Sequence, residues 1–223
     1  MDFLVKNKRF LAINKPVGVP AEKDPTGDDD AITLSSAKLR MEAENEKLWL
    51  VHRLDRVVGG ILLFARDKDS AAKLSAIFSE HKAEKEYMAV VCKDACGGVL
   101  TDFIYKYSSL GKAFVTDRKR NGVKDASLEY VPLQKVEKGE DVYTLVKIKL
   151  HTGRFHQIRV QFASRGMPLI GDGKYGSRDK GSRFPALFAY HLGFEFLGQR
   201  EDIYQYPPHD DYPWCLFDKS HFQ

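Results

Sequence analysis

The stretch that decides the fold runs over residues 51–65 and reads Val51-His52-Arg53-Leu54-Asp55-Arg56-Val57-Val58-Gly59-Gly60-Ile61-Leu62-Leu63-Phe64-Ala65. The carboxylate Asp55 lies between Arg53 and Arg56, and two glycines then lead into the apolar run Ile61–Ala65, which predicts a buried strand. Neighbouring guanidinium groups would keep Asp55 ionised, the state that a nucleophile or base requires. The glycines permit a close backbone approach before the strand. The alternative interpretation is a surface ion-pair cluster at the start of a strand.

Strands dominate the prediction on both sides of this stretch. Short apolar runs indicate strands at Phe10–Asn14 and Tyr87–Cys92, with an exposed acidic loop at Glu22–Asp30. The region from residue 103 to residue 150 is β-rich and ends in the alternating run Val142–Leu150.

Helices are fewer and do not alternate regularly with the strands. We expect a surface helix at Ser35–Lys47, a helix capped by Asp69 or Ser70, and a helix at Arg154–Arg165. This order of elements predicts an α+β fold with a largely antiparallel sheet, and it disfavours a doubly wound parallel sheet.

A second polar stretch follows the last predicted strand and reads Leu150-His151-Thr152-Gly153-Arg154-Phe155-His156-Gln157-Ile158-Arg159. The first turn of the helix that begins here would have unpaired N–H groups, an anion site that Arg154 would strengthen. Arg159 lies on the apolar side of that helix, and a buried arginine needs a carboxylate, which suggests pairing with a remote aspartate. Extension of the Arg159 side chain to the rim of the core is the alternative.

Two further features are compatible with nucleic acid. Tyr87, in Lys85-Glu86-Tyr87-Met88-Ala89-Val90, could stack on a flipped base, although spacing alone favours a core tyrosine. A basic segment surrounds Phe114 and the Asn121-Gly122 turn, and its charged members are Lys112, Arg118, Lys119, Arg120 and Lys124. This segment could follow phosphates, or it could be an exposed hairpin with solvated charges.

Composition and charge exclude several classes. With 43% hydrophobic and 30% charged residues, the chain is globular rather than disordered. No apolar run approaches the length of a membrane helix, and charges interrupt the N-terminal stretch where a signal peptide would be apolar. Residues 48–194 carry a net charge of +9, whereas residues 21–47 and 195–223 each carry −4, an asymmetry that suits a polyanion-binding face.

The metal-binding or redox signal in the sequence is weak and consists of Cys92 and Cys96 at CxxxC spacing. Three cysteines are an odd number in a chain too large to need a disulfide framework, and Cys92 is interpreted as a core residue. His151 and His156 lack the spacing of zinc ligands and are interpreted as structural. Phosphate-binding glycine loops and the serine-hydrolase motif are also missing.

Taken together, five motifs resemble those of the RluA-type family of RNA pseudouridine synthases. They occur in the family's order: Asn14-Lys15-Pro16-Val17-Gly18, His52-Arg53-Leu54-Asp55-Arg56, Lys85-Glu86-Tyr87-Met88-Ala89-Val90, Thr152-Gly153-Arg154-Phe155-His156-Gln157-Ile158-Arg159 and Gly171-Asp172-Gly173-Lys174-Tyr175-Gly176. Each motif alone is weak, but HRLDR followed about 100 residues later by TGRFHQIR is specific.

The resemblance implies an enzyme that isomerises uridine to pseudouridine within an RNA chain, without a metal or organic cofactor. It implies that Asp55 is the essential catalytic residue and that Tyr87 stacks on the flipped uracil. It also implies that Arg159 pairs with Asp55 and that Leu192 lines the uracil pocket. The candidate RNA-binding residues are Arg53, Arg56, Arg154, Arg118, Lys119 and Arg120, of which the first two could instead support the site.

The family's fold and partners follow from the same resemblance. We expect a single catalytic domain over residues 1–223, with a mixed, largely antiparallel central sheet flanked by helices and loops and an active-site cleft across the sheet. The Lys-Pro motif begins at Lys15, which leaves no room for the S4-type domain that many relatives carry. We expect a cytoplasmic monomer without membrane contact, whose partner is a tRNA or ribosomal RNA stem-loop.

This chain departs from the family's pattern at several positions. Val58 and Gly59 replace a Thr-Ser pair, Phe188 replaces a histidine, and Leu197-Gly198 replaces a His-Pro pair. Because the proposed catalytic and substrate-binding residues are retained, we expect activity. The alternative is a noncatalytic RNA-binding protein on a decayed synthase scaffold. An unrelated hydrolase with Asp55 as its nucleophile lacks a visible partner base.

Overall fold

The structure is a computed structural model that describes residues 1–42, 44 and 47–223. Within these residues there are eleven strands: β1 Asp2–Lys6, β2 Phe10–Lys15, β3 Trp49–Leu50, β4 Gly59–Ala65, β5 Glu84–Val91, β6 Gly98–Tyr107, β7 Lys112–Thr116, β8 Val123–Lys138, β9 Asp141–Leu150, β10 Leu187–Phe196 and β11 Gln199–Tyr204. The α-helices are α1 Ala31–Met41, α2 Lys68–Ser79 and α3 Gln157–Ala163. None of the described helices is long and apolar enough to cross a membrane.

The chain divides into two compact units, and the first consists of residues 1–84 and 189–205. In this unit β2 pairs antiparallel with β1 and with β4, β3 pairs with β4, and β10 forms a hairpin with β11. Strand β4 lies between β2 and β10 and is buried along its whole length, which explains its uninterrupted apolar sequence. The predicted strands at Phe10–Asn14 and Ile61–Ala65 are confirmed.

The core of this unit lies between its strands and α2. Leu74 of α2 is fully buried in a cluster with ten other buried residues: Phe10, Ala12, Ile61, Leu63, Ala65, Ala83, Leu192, Phe194, Phe196 and Ile203. The cap of α2 is Asp67, whose carboxylate accepts hydrogen bonds from the backbone N–H and the hydroxyl of Ser70. The predicted cap at Asp69 or Ser70 is therefore wrong, because Ser70 is the residue that receives the cap.

Helix α1 begins earlier than the sequence predicted and is more than a surface helix. Asp30 caps it, accepting hydrogen bonds from the backbone N–H and the hydroxyl of Thr33. Ala31, Ser35 and Leu39 are buried at spacings of four residues, so one face of α1 packs inward. The helix ends at Met41, and residues 43, 45 and 46 of the predicted range lie outside the described part of the chain.

The second unit consists of residues 85–188 and 206–223. Its strands are ordered β5-β9-β8-β6-β7, and each neighbouring pair is antiparallel. One core cluster packs Val160 of α3 against Ile104 of β6, Ala113 of β7 and Ala126 of β8. The β-rich region predicted between residues 103 and 150 and the strand predicted from Tyr87 are confirmed.

Helix α3 is shorter than the predicted Arg154–Arg165. It begins at Gln157, because the preceding residue His156 has a left-handed backbone with φ of +54°. The Gln157 side chain then accepts hydrogen bonds from the Thr152 hydroxyl and the Arg154 N–H, which holds the preceding segment as a turn. These contacts are local, three to five residues apart, but they do not repeat with a helical period and so leave no periodic trace in the sequence.

The predicted α+β class with largely antiparallel strands is confirmed. The organisation of residues 1–223 as a single domain and the cleft across the sheet remain predictions.

The β10–β11 hairpin turns at Leu197 and Gly198, where the family usually has His-Pro. Both residues have positive φ, +51° and +79°. A two-residue turn with positive φ at both positions follows the right-handed twist of paired strands and favours Asn-Gly. Leu197 is 59% exposed, so it has little packing to offset this conformation.

We therefore expect Leu197→Asn to raise the free energy of unfolding by about 1 kcal/mol, because asparagine tolerates the left-handed conformation. Leu197→Val should lower it, because a β-branched side chain tolerates that conformation least. Urea unfolding of the three proteins measures both effects. Equal stabilities would contradict the assigned turn.

Candidate active site

Asp55 lies in the first unit, in the loop that precedes β4. The Val58 N–H donates to the Asp55 carbonyl at 3.0 Å, closing a turn that contains the motif's second arginine. Gly60 follows with φ of +112°, and a Cβ there would overlap the backbone of Ala189. The predicted close approach at the glycines is confirmed, because only glycine fits between β4 and β10 at this position.

His52 fixes the start of the same loop. Its Nε2 accepts a hydrogen bond from the Leu63 N–H at 3.0 Å, and its ring stacks on Phe78 of α2 with centroids 4.4 Å apart. An accepting Nε2 places the ring proton of neutral His52 on Nδ1. The histidine of the HRLDR motif therefore holds the loop to β4 and α2.

Lys15 connects this loop to the Asn14-Lys15-Pro16-Val17-Gly18 motif. Its side chain is fully buried, and its Nζ donates to the carbonyls of Pro16 at 3.0 Å, Val19 at 2.7 Å and Arg56 at 3.4 Å. The Gly18 N–H donates to the same Arg56 carbonyl at 2.8 Å. Two motifs about 40 residues apart in the sequence are thus joined around one buried ammonium group.

The charge of Lys15 interacts with Asp55. Burial lowers the pKa of Lys15 from 10.5 to about 7, while the negative charge of Asp55 acts to raise it. By the same interaction, protonated Lys15 favours the ionised form of Asp55. The sequence reasoning assigned this effect to the flanking arginines and did not identify Lys15.

The two flanking arginines bind the acidic segment 22–30. Arg53 pairs with Glu22 at 3.2 Å, while Arg56 pairs with Asp24 at 3.2 Å and forms a second ion pair with Asp28. The hydrogen bond from Arg56 lowers the pKa of the Asp28 carboxyl below its usual range. The acidic segment is largely exposed as predicted, except at Asp30, which is buried at the start of α1, and its carboxylates bind the two arginines of the Asp55 loop.

Leu192 lies on β10 in the first unit. It is 3% exposed and belongs to the core cluster beneath α2, with Phe10 and Leu63. Its role as part of a uracil pocket remains a prediction.

Arg159 lies in the second unit and is buried on α3. Its Nε and Nη2 donate to the two carboxylate oxygens of Asp172 at 2.7 and 2.8 Å, a bidentate pair in which both side chains are buried. The prediction of a buried arginine paired with a remote aspartate is confirmed. In the structure this aspartate is Asp172. The pairing of Arg159 with Asp55 that the resemblance implies remains a prediction.

Tyr175 completes the support of Arg159. The guanidinium lies over the Tyr175 ring, with its carbon 5.0 Å from the ring centroid. The Tyr175 hydroxyl accepts a hydrogen bond from the Ala113 N–H at 2.8 Å and lies 2.9 Å from Nδ1 of His156. The GDGKYG motif therefore supplies two groups, a carboxylate and a ring, that hold the arginine of the TGRFHQIR motif.

His156 is a structural histidine, as predicted. Its ring stacks on Phe155 with centroids 3.8 Å apart, and its Nδ1 faces the Tyr175 hydroxyl. Burial lowers the pKa of His156 to about 3, and the positive charge of Arg159 acts in the same direction. The neutral form of His156 is therefore favoured at physiological pH.

The predicted start of α3 at Arg154 is wrong, and an anion site at the first turn of this helix remains a prediction. The helix begins three residues after Arg154 and spans seven residues, and the Arg154 N–H is already bound to Gln157. The Arg154 side chain donates from Nε to the Asp125 carbonyl at 2.8 Å. This contact ties the motif to β8, and contact of Arg154 with RNA remains a prediction.

The other candidates also lie in the second unit. Tyr87 is on β5, opposite Ile148 of β9, and is 9% exposed. The basic loop between β7 and β8 is exposed, and Lys119 pairs there with Asp125 at 2.9 Å. Its neighbour Arg120 lies over the Tyr105 ring.

Three supporting residues were not identified from the sequence: Lys15, Asp172 and Tyr175. All three stand inside the quoted motifs, so the signal was present. What the motifs do not reveal is which charged member is buried, since burial depends on strands that are distant in the sequence.

Comparison with known proteins identifies the family to which this chain belongs. A family model described as RNA pseudouridylate synthase matches residues 9–164. The tRNA pseudouridine synthase C of Haemophilus ducreyi is 32% identical over 190 residues, which cover 82% of this chain and 77% of that protein. The ribosomal large subunit pseudouridine synthase C of Rickettsia bellii is 32% identical over 178 residues, which cover 78% of this chain and 56% of that protein.

A solved structure agrees with these relatives. The structure of human RNA pseudouridylate synthase domain containing 4 has a TM-score of 0.74 at 25% identity, with 92% of this chain and 88% of that chain covered. The family match and the fold thus define an RNA-modifying isomerase. The chain belongs to the RNA pseudouridylate synthase family, and its resemblance to the RluA type is confirmed.

Stability should depend on pH through Lys15. Its folded-state pKa, about 7, is below the unfolded value of 10.5, so the unfolded state binds more protons between these values. The cost of burying the charge is fully present below pH 7 and decreases as the pH rises toward 10.5. Wild type should therefore gain stability relative to Lys15→Met over this range, measured by urea unfolding at a series of pH values. Parallel pH curves for the two proteins would contradict the lowered pKa.

Asp172→Asn should lower the free energy of unfolding by about 3–5 kcal/mol, because the buried Arg159 charge loses its carboxylate. Asp69→Asn is the matched control. Asp69 forms an exposed pair with Lys73, so its loss should cost less than about 0.5 kcal/mol. Chemical unfolding measures the loss of stability in both variants. Similar losses would show that the buried Arg159–Asp172 pair contributes no more to stability than the exposed Asp69–Lys73 pair.

Proposed function

We propose that this pseudouridine synthase acts on a uridine in a tRNA or ribosomal RNA stem-loop, with Asp55 as its catalytic residue. The observation that carries the assignment of Asp55 is its loop, which Lys15, Gly18 and His52 hold in place immediately before the buried strand β4. Such a rigid, supported loop suits a group that must meet a reacting atom at a fixed position.

The reaction requires a carboxylate rather than a carboxylic acid. The bond from N1 of uracil to C1′ of ribose breaks, the base rotates, and C5 bonds to C1′. The proton at C5 is then lost, and N1 gains a proton, so the product is an isomer of the substrate. In the family's three debated routes the aspartate attacks C1′, attacks the base, or removes the 2′ proton, and each needs ionised Asp55. The positive charge of Lys15 favours that state.

We assign Tyr87 to stacking on the flipped uracil and Arg159 to pairing with Asp55. A guanidinium has five N–H donors, and the bidentate pair with Asp172 uses two of them. Binding to Asp172 is therefore compatible with a second carboxylate. Leu192 is proposed as an apolar wall of the uracil pocket.

RNA binding is assigned to the basic middle of the chain. Residues 48–194 carry a net charge of +9, which would attract a polyanion. The proposed contacts are Arg53, Arg56, Arg154, Arg118, Lys119 and Arg120. The relatives named above act on tRNA in one case and on the large ribosomal subunit in the other, which supports these two classes of substrate. We also propose a cytoplasmic monomer, a location that fits both RNAs.

The Asp55→Asn variant tests the assignment. It should bind unmodified RNA with the affinity of wild type, because amide and carboxylate have the same size, but its pseudouridine formation should fall below detection. Single-turnover release of tritium from RNA labelled at C5 of uridine measures the reaction, and fluorescence anisotropy measures binding.

Asp69→Asn, which removes an exposed carboxylate on α2, should retain full turnover and serves as the control. Turnover by Asp55→Asn within tenfold of wild type would overturn the catalytic assignment. Loss of both binding and folding in that variant would instead assign Asp55 a structural role. The comparisons offer no support for the noncatalytic alternative.

A further inference from the structure

The β6–β7 hairpin presents aromatic rings to solvent beside the basic loop. Tyr105 and Tyr107 are two residues apart on β6, and Phe114 of β7 is the cross-strand partner of Tyr105. The Tyr107 and Phe114 rings meet edge to face with centroids 6.5 Å apart, and each residue is 44% exposed. Packing in the core does not account for these two neighbouring aromatic residues, because both are exposed to solvent. Exposed apolar patches of this kind often mark binding sites.

A cavity of about 510 Å³ lies against these rings. Its lining also includes three residues with polar side chains, Thr116, Arg120 and Asn121. Arg120 lies over the Tyr105 ring, 5.2 Å from its centroid, which places a cation at the cavity's edge. The cavity therefore combines flat apolar faces with a few hydrogen-bonding groups, the combination that recognises a planar polar ring.

The excess of basic side chains in the segment that lines the cavity indicates the class of ligand that it would bind. Residues 103–124 contain six basic side chains and one acidic side chain, Asp117. The basic residues are Lys106, Lys112, Arg118, Lys119, Arg120 and Lys124. A planar ring attached to a polyanion satisfies both features, since bases stack on aromatic side chains while phosphates bind lysine and arginine.

We propose that this hairpin cavity binds an unpaired base of the RNA substrate, stacked on Tyr107 and Phe114, with adjacent phosphates on the loop Arg118–Arg120. This inference rests on the proposed function, since it requires an RNA substrate. It adds a second base-binding position that involves neither the Asp55 loop nor Tyr87. The synthase would then recognise an unpaired nucleotide as well as the target uridine.

The test compares a variant that lacks the two aromatic rings with a variant that keeps them. Tyr107→Leu with Phe114→Leu removes both rings but keeps apolar bulk and charge, and Tyr107→Phe keeps the ring. The probe is an unmodified stem-loop transcript with 2-aminopurine in its loop. We expect the double leucine variant to bind about tenfold more weakly at fixed salt, with less quenching of 2-aminopurine, because one stacked base contributes on this scale. Tyr107→Phe should bind like wild type.

Salt dependence separates stacking from charge. The double leucine variant should keep the wild-type slope of log affinity against log salt, because no phosphate contact is lost. Replacing Arg118, Lys119 and Arg120 by glutamine should reduce the slope, by roughly 0.7 for each contact to single-stranded RNA. In turnover, the double leucine variant should show a raised KM for the stem-loop with an unchanged kcat.

Three outcomes would overturn the inference. The first is wild-type affinity and quenching in the double leucine variant. The second is reduced stability with unchanged affinity, which would make the rings a cross-strand pair that only stabilises the hairpin. The third is loss of self-association with RNA affinity unchanged, which would make the surface a protein interface. If the double variant does not fold, Phe114→Leu alone is tested. An absence of pseudouridine formation by wild type would instead contradict the proposed function.

Discussion

A positive charge that is removed from water must find partners, and this constraint organises the candidate residues within each of the two units. Lys15 is fully buried and gathers the carbonyls of Pro16, Val19 and Arg56 around its ammonium group, which fixes the loop that contains Asp55. Arg159 is buried in the second unit and requires Asp172. Four of the five motifs that identify the family supply one of these two cations or one of its partners.

This constraint explains why the motifs can tolerate the departures seen in this chain. Val58 is buried and contributes its backbone N–H to the turn at Asp55, a contact that does not depend on the side chain. Gly60 cannot be replaced, because a Cβ would overlap the backbone of β10. The hydroxyl groups usually found at positions 58 and 59 are therefore not needed to build the loop.

The sequence predicted the fold class and most strands, because alternation and apolar runs are local signals. It also predicted that Arg159 would be buried and paired with an aspartate. It did not identify Asp172, since pairing across 13 residues through an irregular turn leaves no periodic pattern. The start of α3 was misplaced for a related reason: His156 has a left-handed backbone and the Gln157 side chain binds the Arg154 N–H, and neither feature produces an apolar period in the sequence. Lys15 was read only as part of a turn, because a lysine's burial cannot be inferred from its neighbours in sequence.

The central claim is that this chain converts a particular uridine to pseudouridine and uses Asp55 to do so. The most direct measurement is pseudouridine mapping of total RNA, by carbodiimide treatment and reverse-transcription stops, in source cells with and without the gene. We predict the loss of one or a few sites in tRNA or ribosomal RNA, restored by the wild-type gene and not by Asp55→Asn. Unchanged maps, together with no activity of the purified protein on unmodified transcripts, would contradict the account.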